Sequence, residues 1–257
     1  MQNTDSKEYF SGERLYLGKT DIDPIGLAEH MNRYELAKKY LKNNFIVLDA
    51  ACGTGYGSEI LAKQCSKVIG FEFSNHALQW AEENKAGKNL EYVQGDLNKI
   101  LPFKDEEFDA IVSFETLEHI ENQENMLSEF KRILKKDGIL ILSSPDREII
   151  TGKAHTINHF HINELSKKEF IEKIQHYFHV EELYGQTRYI PLSWKKKAIK
   201  RLAKLDIFKL RRKVVRALGV KNAVHKALAP FVDSEIHSVA LEDPNSFFVL
   251  IAVCRKQ

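Results

Sequence analysis

The chain has 257 residues, 43% of them hydrophobic and 29% charged, so it can bury a core and is not a disordered tail. Thirty-eight basic against 36 acidic side chains give a net charge of only +2, which excludes a uniformly basic nucleic-acid binder. No stretch approaches the ~18 apolar residues of a spanning helix, and the first residues, MQNTDSKEYFSGERLYLG, lack the apolar centre of a secretory leader. Cys52, Cys65 and Cys254 form no C-x-x-C pair, so a reducing compartment is expected rather than a disulfide scaffold or a structural zinc. Between about 45 and 145, short apolar runs alternate with helical patterns. The expected strands are FIVLDA (45–50), KVIGFEF (67–73), LEYVQGD (90–96), FDAIVSFE (108–115) and ILILSSP (139–145). Helices are expected over 54–64, 76–84 and 122–135, the last with Met126, Leu127, Phe130, Ile133 and Leu134 on one face. Such alternation implies a mostly parallel, doubly wound sheet. Further on, a His- and Asn-rich loop (146–163) leads to a helix over 166–176 and strands at 178–186 and 246–253, which would pair at the sheet edge.

The most specific stretch is VLDAACGTGYGS (47–58). A strand ends in Asp49, and a glycine-rich turn then opens a helix. Gly53 and Gly55 carry no Cβ, so a ligand can lie against their backbone. The spacing differs from the G-x-G-x-x-G of a dinucleotide site, and an acid before the turn suits a cationic ligand better than a diphosphate. A Rossmann-like dehydrogenase is the alternative.

D-x-A-C-G-x-G resembles the first motif of class I S-adenosylmethionine-dependent methyltransferases, and four further segments agree in register: Glu72, Gly95-Asp96-Leu97, Phe114-Glu115 and LKKDGILILSSP. The resemblance covers roughly 45–185 plus the last strand. It implies a seven-stranded Rossmann-like sheet with a helical insertion before the last strand. It also implies S-adenosylmethionine as cofactor, contacted by Asp49, Ala50, Gly53 and Gly55 at the turn. Glu72 and Phe73 would meet the ribose side, Asp96 and Leu97 the adenine, and Phe114 the methionine moiety. G-E-R near the N-terminus, E-H-x-x-R-Y before the first strand, Asn158-His159-Phe160-His161 and Leu183-Tyr184-Gly185-Gln186 resemble a subgroup from bacterial surface-glycan clusters. That likeness puts Arg33 and Tyr34 beside the methionine end, with Arg33 on its carboxylate; the alternative pairs Arg33 with Glu29.

Glu115-Thr116-Leu117-Glu118-His119 places two carboxylates and an imidazole just past a strand's carboxyl end, where α/β sheets bind ligands. E-x-x-E-H is similar to the metal-binding segment of ubiquinone-pathway O-methyltransferases and of small-RNA 2′-O-methyltransferases. By that likeness, Glu115, Glu118, His119 and His161 would hold Mg²⁺ or Mn²⁺ against vicinal hydroxyls, with Glu164 following His161. In the metal-free alternative Glu118 and His119 cap the next helix, and His119 or His161 is the general base. His155 and His159 are weaker candidates.

Between Lys195 and Lys226, thirteen Lys/Arg stand against one acid, Asp206, giving about +12 locally and leaving about −10 for the rest. Trp194, Ala198, Ile199, Leu202 and Leu205 share a helical face there. Residues 194–226 would meet an anionic membrane surface, grip a phosphorylated or lipid-linked acceptor, or form a lid with a solvated charged face. The expected organisation is a helical lead-in (1–44), a core (45–186 plus 244–257) and a basic helical insertion (187–243). The expected function is O-methylation of a sugar hydroxyl on a glycan or its precursor, in the cytoplasm or peripherally at the inner membrane face. The alternatives are RNA ribose 2′-O-methylation, N- or O-methylation of a small metabolite, and a non-catalytic binding protein. No RNP-like, KH or zinc pattern accompanies the RNA reading.

Overall fold

The computed structural model describes residues 24–85, 87–149, 161–187, 235–242 and 247–256. The basic segment 194–226 and the loop histidines His155 and His159 lie outside the described residues. Helix α1 (Pro24–Lys38) leads into β1 (Ile46–Ala50), α2 (Tyr56–Ala62), β2 (Lys67–Glu72), α3 (Asn75–Asn84) and β3 (Leu90–Gln94). Then come β4 (Phe108–Ser113), a 3₁₀ turn (Leu117–His119), α4 (Gln123–Ile133), β5 (Leu134–Pro145), α5 (Lys167–Gln175), β6 (His179–Gln186), β7 (Ile236–Ser238) and β8 (Val249–Arg255).

The strands form one mixed sheet in the order β3-β2-β1-β4-β5-β8-β6-β7. β1 to β5 run parallel, and β8 pairs antiparallel with β5 and β6. Among the described residues there are eight strands, where seven were expected. The additional one, β7, is a three-residue edge strand inside the span expected to be a helical insertion. Its short Ile-His-Ser run offers too little apolar alternation to be read as a strand. β5 is also longer than the expected 139–145: it begins at Leu134, inside the span expected as helix, and its pairing with β4 is irregular where Asp137 takes φ 60.

Alternate strand residues feed two cores, which is why these runs are apolar throughout. Val47, Ala110, Ile139 and Ile141 face α1 and α2. Leu48, Ile111, Leu140 and Leu142 face α4 and α5, where Met126, Phe130, Phe170 and Ile174 are fully buried. Polar caps fix the helix starts: Ser74 Oγ accepts from Ala77 N, Asn122 from Asn125 N, and Ser166 and Glu169 form a capping box. β1 pairs β2 on one side and β4 on the other, so chain order reverses between β1 and β4. A doubly wound sheet opens a crevice at the carboxyl ends of strands flanking such a reversal. Gln186 of β6 and Pro145 of β5 both pair with Val249, so β6 ends at that same edge.

Candidate active site

The carboxyl edge of β1 presents Asp49, fully buried, followed by a turn in which Ala51, Gly53 and Gly55 all have positive φ. Ser58 Oγ donates to Asp49 Oδ2 at 2.6 Å and Tyr34 Oη to Oδ1 at 3.0 Å. Burial pushes the Asp49 carboxyl up to about 7, against the opposing pull of those two hydroxyls. A buried carboxylate so poised is a receptor for a cation, which restores its charge on binding.

Gly53 and its neighbour Gly57 are small for opposite reasons. A Cβ on Gly53 would meet nothing within 4 Å, so its outer face is open space. A Cβ on Gly57 would strike the Tyr34 ring at 1.9 Å. Glu72 ends β2 beside this turn and accepts from Gly53 N at 3.1 Å and Ser74 N at 2.9 Å. Beyond it lies a cleft of about 360 Å³ lined by Phe71, Phe73, Gln94, Asp96, Lys99 and Ile100. Phe73 and Ile100 are 61% and 81% exposed there, and Leu97 is buried beneath. Asp96 Oδ1 accepts from Asn98 N at 2.9 Å. Ala50 is buried in the core and contributes only backbone to the edge.

The edge beyond β4 carries the second constellation. Phe114 is buried against Tyr34, ring centroids 5.0 Å apart. Glu115 sits at φ 49, a strained position for a non-glycine residue, and accepts from Ser143 Oγ at 3.0 Å. One ligand atom each from Glu118, His119 and His161 lie within 4.8 Å of one another. Glu115 is not in that group, so the structure brings together three of the four expected ligands. Backbone N–H groups of Ile162 and Asn163 both donate to Glu118 O at 3.0 Å, and Gln123 Nε2 donates to Leu117 O and Asn163 O. These bonds draw the loop after β5 onto the 3₁₀ turn, and so bring His161 to His119, ring centroids 4.9 Å apart.

Glu118 is fully buried; its Oε2 accepts from Ser144 Oγ at 3.4 Å and its Oε1 has no hydrogen-bond partner. Burial, then the charge of Glu115, holds its carboxyl well above the usual carboxylate range. His161 Nδ1 lies 2.6 Å from Glu164 Oε1, which orients the ring and leaves Nε2 for another partner. An orphaned buried oxygen beside two imidazoles is a donor set that fits a divalent cation.

Arg33 is 1% exposed, and its Nη1 donates to Gln186 Oε1 at 2.5 Å; Gln186 Nε2 in turn donates to Glu29 O. So the guanidinium is tied to β6 through Gln186 rather than to the alternative partner, the Glu29 side chain. Nε of Arg33 has no hydrogen-bond partner. Sequence reasoning missed Ser58 and Gln186 as partners of site residues. A serine on the buried face of α2 was the available signal for the first; Gln186 stood in the Leu183-Tyr184-Gly185-Gln186 segment, but no local spacing pairs it with Arg33 across 153 residues.

A model described as a methyltransferase domain matches residues 48–142. A ubiquinone biosynthesis O-methyltransferase of Glaesserella parasuis is 31% identical over 170 residues, covering 61% of this chain and 70% of that protein. A probable S-adenosylmethionine-dependent methyltransferase of Mycolicibacterium smegmatis is 30% identical over 168 residues, covering 62% of this chain and 64% of that one. The match thus spans less than two thirds of that mycobacterial relative. A Thermotoga maritima structure described as a possible histamine N-methyltransferase superposes with a TM-score of 0.61 at 18% identity, covering 91% of both chains, and so shares the fold. S-adenosylmethionine is this family's cofactor, and Asp49, the open Gly53 face, Glu72 and the Asp96 cleft fit its ammonium, methionine, ribose and adenine parts. The turn, the carboxyl-edge acids and these relatives agree: the chain belongs to the class I S-adenosylmethionine-dependent methyltransferases.

Proposed function

We propose that this chain O-methylates a sugar hydroxyl on a glycan or glycan precursor, with a divalent cation held by Glu118, His119 and His161. The observation that carries the reading is the convergence of those three side chains within 4.8 Å, on the strand edge that also carries the cofactor turn. Asp49 binds the ammonium, Glu72 the ribose hydroxyls, and the Tyr34–Phe114 wall excludes water from the transfer line. When bound, Mg²⁺ or Mn²⁺ would lower the pKa of a hydroxyl it contacts. Without a cation, His119 or His161 is the proton acceptor, since both are partly buried imidazoles beside a carboxylate.

The basic segment 194–226 is the proposed contact for a phosphorylated or lipid-linked acceptor, or for an anionic membrane surface on the cytoplasmic side. One fact supports a role near the acceptor. β6 ends at Gln186 and β7 begins at Ile236, paired to one another, so the chain leaves and re-enters the sheet at the site edge. Among the described residues, no helix is long and apolar enough to cross a membrane.

The test is methyl transfer from labelled S-adenosylmethionine into sugar nucleotides, lipid-linked sugars and extracted RNA, with and without chelator. Label in the sugar fractions, lost in chelator and restored by Mn²⁺, supports the reading. Label in RNA selects the ribose 2′-O-methyltransferase reading instead. A second reading, O-methylation of a quinone-type small molecule, is favoured by the Glaesserella parasuis relative's name and is tested by adding a catechol acceptor.

A further inference from the structure

The Glu118–His119–His161 group leaves a proton unaccounted for. If both imidazoles hold a cation, their facing lone pairs are committed, and neither can take the proton that an acceptor hydroxyl sheds. Helix α1 carries another imidazole, near the cofactor turn. His30, Arg33 and Tyr34 lie at i, i+3 and i+4 on α1, so they project from one face of that helix. Arg33 reaches Gln186 and Tyr34 reaches Asp49, while Nδ1 of His30 lies 2.9 Å from the hydroxyl of Tyr56.

Tyr56 is the first residue of α2, immediately after Gly55 of the cofactor turn. Its ring is buried edge-on between Tyr34, centroids 5.7 Å apart, and His30 at 6.3 Å. Burial holds its hydroxyl well above the usual tyrosine range, against the positive charge of Arg33. Through Tyr34, which bonds Asp49 and packs on Phe114, it adjoins the cofactor turn and the end of β4. His30 is partly buried as a residue. Burial, then the positive charge of Arg33, holds it well below the usual histidine range, which keeps it neutral and able to accept at pH 7.

We propose that Tyr56 and His30 form the path by which the acceptor hydroxyl loses its proton. This rests on the cation reading above. As the acceptor oxygen gains the methyl group through a lone pair, Tyr56 takes that oxygen's proton and passes its own phenolic proton to Nδ1 of His30. The acceptor's O–H bonding pair stays on its oxygen, and the broken S–CH₃ pair stays on sulfur. The positive charge lost by the sulfonium appears on the imidazolium. Tyr56 is the group that touches the acceptor; His30 acts through it.

The test is ¹⁵N-histidine NMR of the full chain with S-adenosylhomocysteine at pH 7, repeated after adding MnCl₂. The relay requires a neutral His30 ring with its lone pair on Nδ1 and its proton on Nε2, and Tyr56→Phe must move the Nδ1 resonance. A proton on Nδ1, or a charged His30 ring at pH 7, overturns it. Mn²⁺ should broaden His119 and His161 well before His30; absence of that broadening overturns the cation reading separately. In single-turnover transfer to extracted glycans, Tyr56→Phe should slow chemistry about 100-fold or more. It should also abolish the acidic limb of the rate profile, with S-adenosylmethionine affinity within about twofold of wild type. A Tyr56→Phe rate and limb equal to wild type overturns the relay as well.

Discussion

The two halves of the carboxyl edge are built differently. On the cofactor side, Asp49 lies in β1 and Glu72 ends β2, while Gly53 and Asp96 follow β1 and β3 within about three residues, and their hydrogen bonds join neighbouring segments. On the β4 side, His161 reaches His119 through loop hydrogen bonds, and Arg33 of α1 reaches Gln186 of β6 across 153 residues. The first half is a repeated strand–turn–helix device whose geometry follows from local spacing. The second is assembled from remote segments, which lets an acceptor site change without disturbing the cofactor site.

The largest effect that would break this contrast is at Asp49. Asp49→Ala should weaken S-adenosylmethionine binding by about 10- to 100-fold, the size of a lost charge-assisted contact. Titration calorimetry reading unchanged affinity would remove Asp49 from the cofactor half. The same carboxyl carries a stability signature. Its folded pKa, about 7, lies above the unfolded value, so its contribution is complete below about pH 4 and is lost as pH rises through 7. The loss amounts to at most about 4 kcal/mol. Stability in urea unfolding of the cofactor-free chain should therefore fall between about pH 4 and 7 and level off above, and Asp49→Asn should flatten that slope.

A pair of glycine variants sharpens the contrast within one turn. Gly57→Ala drives a methyl into the Tyr34 ring and should cost about 1–3 kcal/mol of stability. Gly53→Ala opens onto empty space, so it should cost only the ~1–2 kcal/mol of its positive φ while blocking the cofactor. Melting temperature and cofactor affinity measured on both variants separate the two roles.

On the acceptor side, Glu118→Gln should weaken Mn²⁺ binding at least about tenfold. Glu115→Gln, whose carboxylate is engaged by Ser143, should change it by no more than about threefold. Equal losses in both, read by Mn²⁺ relaxation, would return Glu115 to the ligand set. The smallest effect is Gln186→Leu. It leaves Arg33 Nη1 without its acceptor at about 1–3 kcal/mol in unfolding, with Mn²⁺ binding unchanged.

The same division explains what the sequence reveals. The strands, the glycine turn and the edge acids are legible because strand and helix periodicities and motif spacing act over a few residues. Asp49 and Glu72 stand where their strand ends imply. The three-residue β7 carries no periodic signal, and its pairing depends on β6, some 50 residues away. E-x-x-E-H falls at the carboxyl end of β4, yet its spacing cannot say that Glu115 turns to Ser143 while Glu118 is buried, because Glu115 takes a positive φ. The His30–Tyr56 pair lies hidden for another reason: α1 must fold back over α2 before the two meet.

The central claim is that the β1–β4 edge of this chain holds S-adenosylmethionine through Asp49 and Glu72. A crystal structure of the complete chain with S-adenosylhomocysteine tests it most directly. The ammonium is expected within hydrogen-bond reach of the Asp49 turn, the ribose hydroxyls on Glu72 and the adenine in the Asp96 cleft. Ligand bound elsewhere, with Glu72 still accepting from the backbone of Gly53 and Ser74, would contradict it.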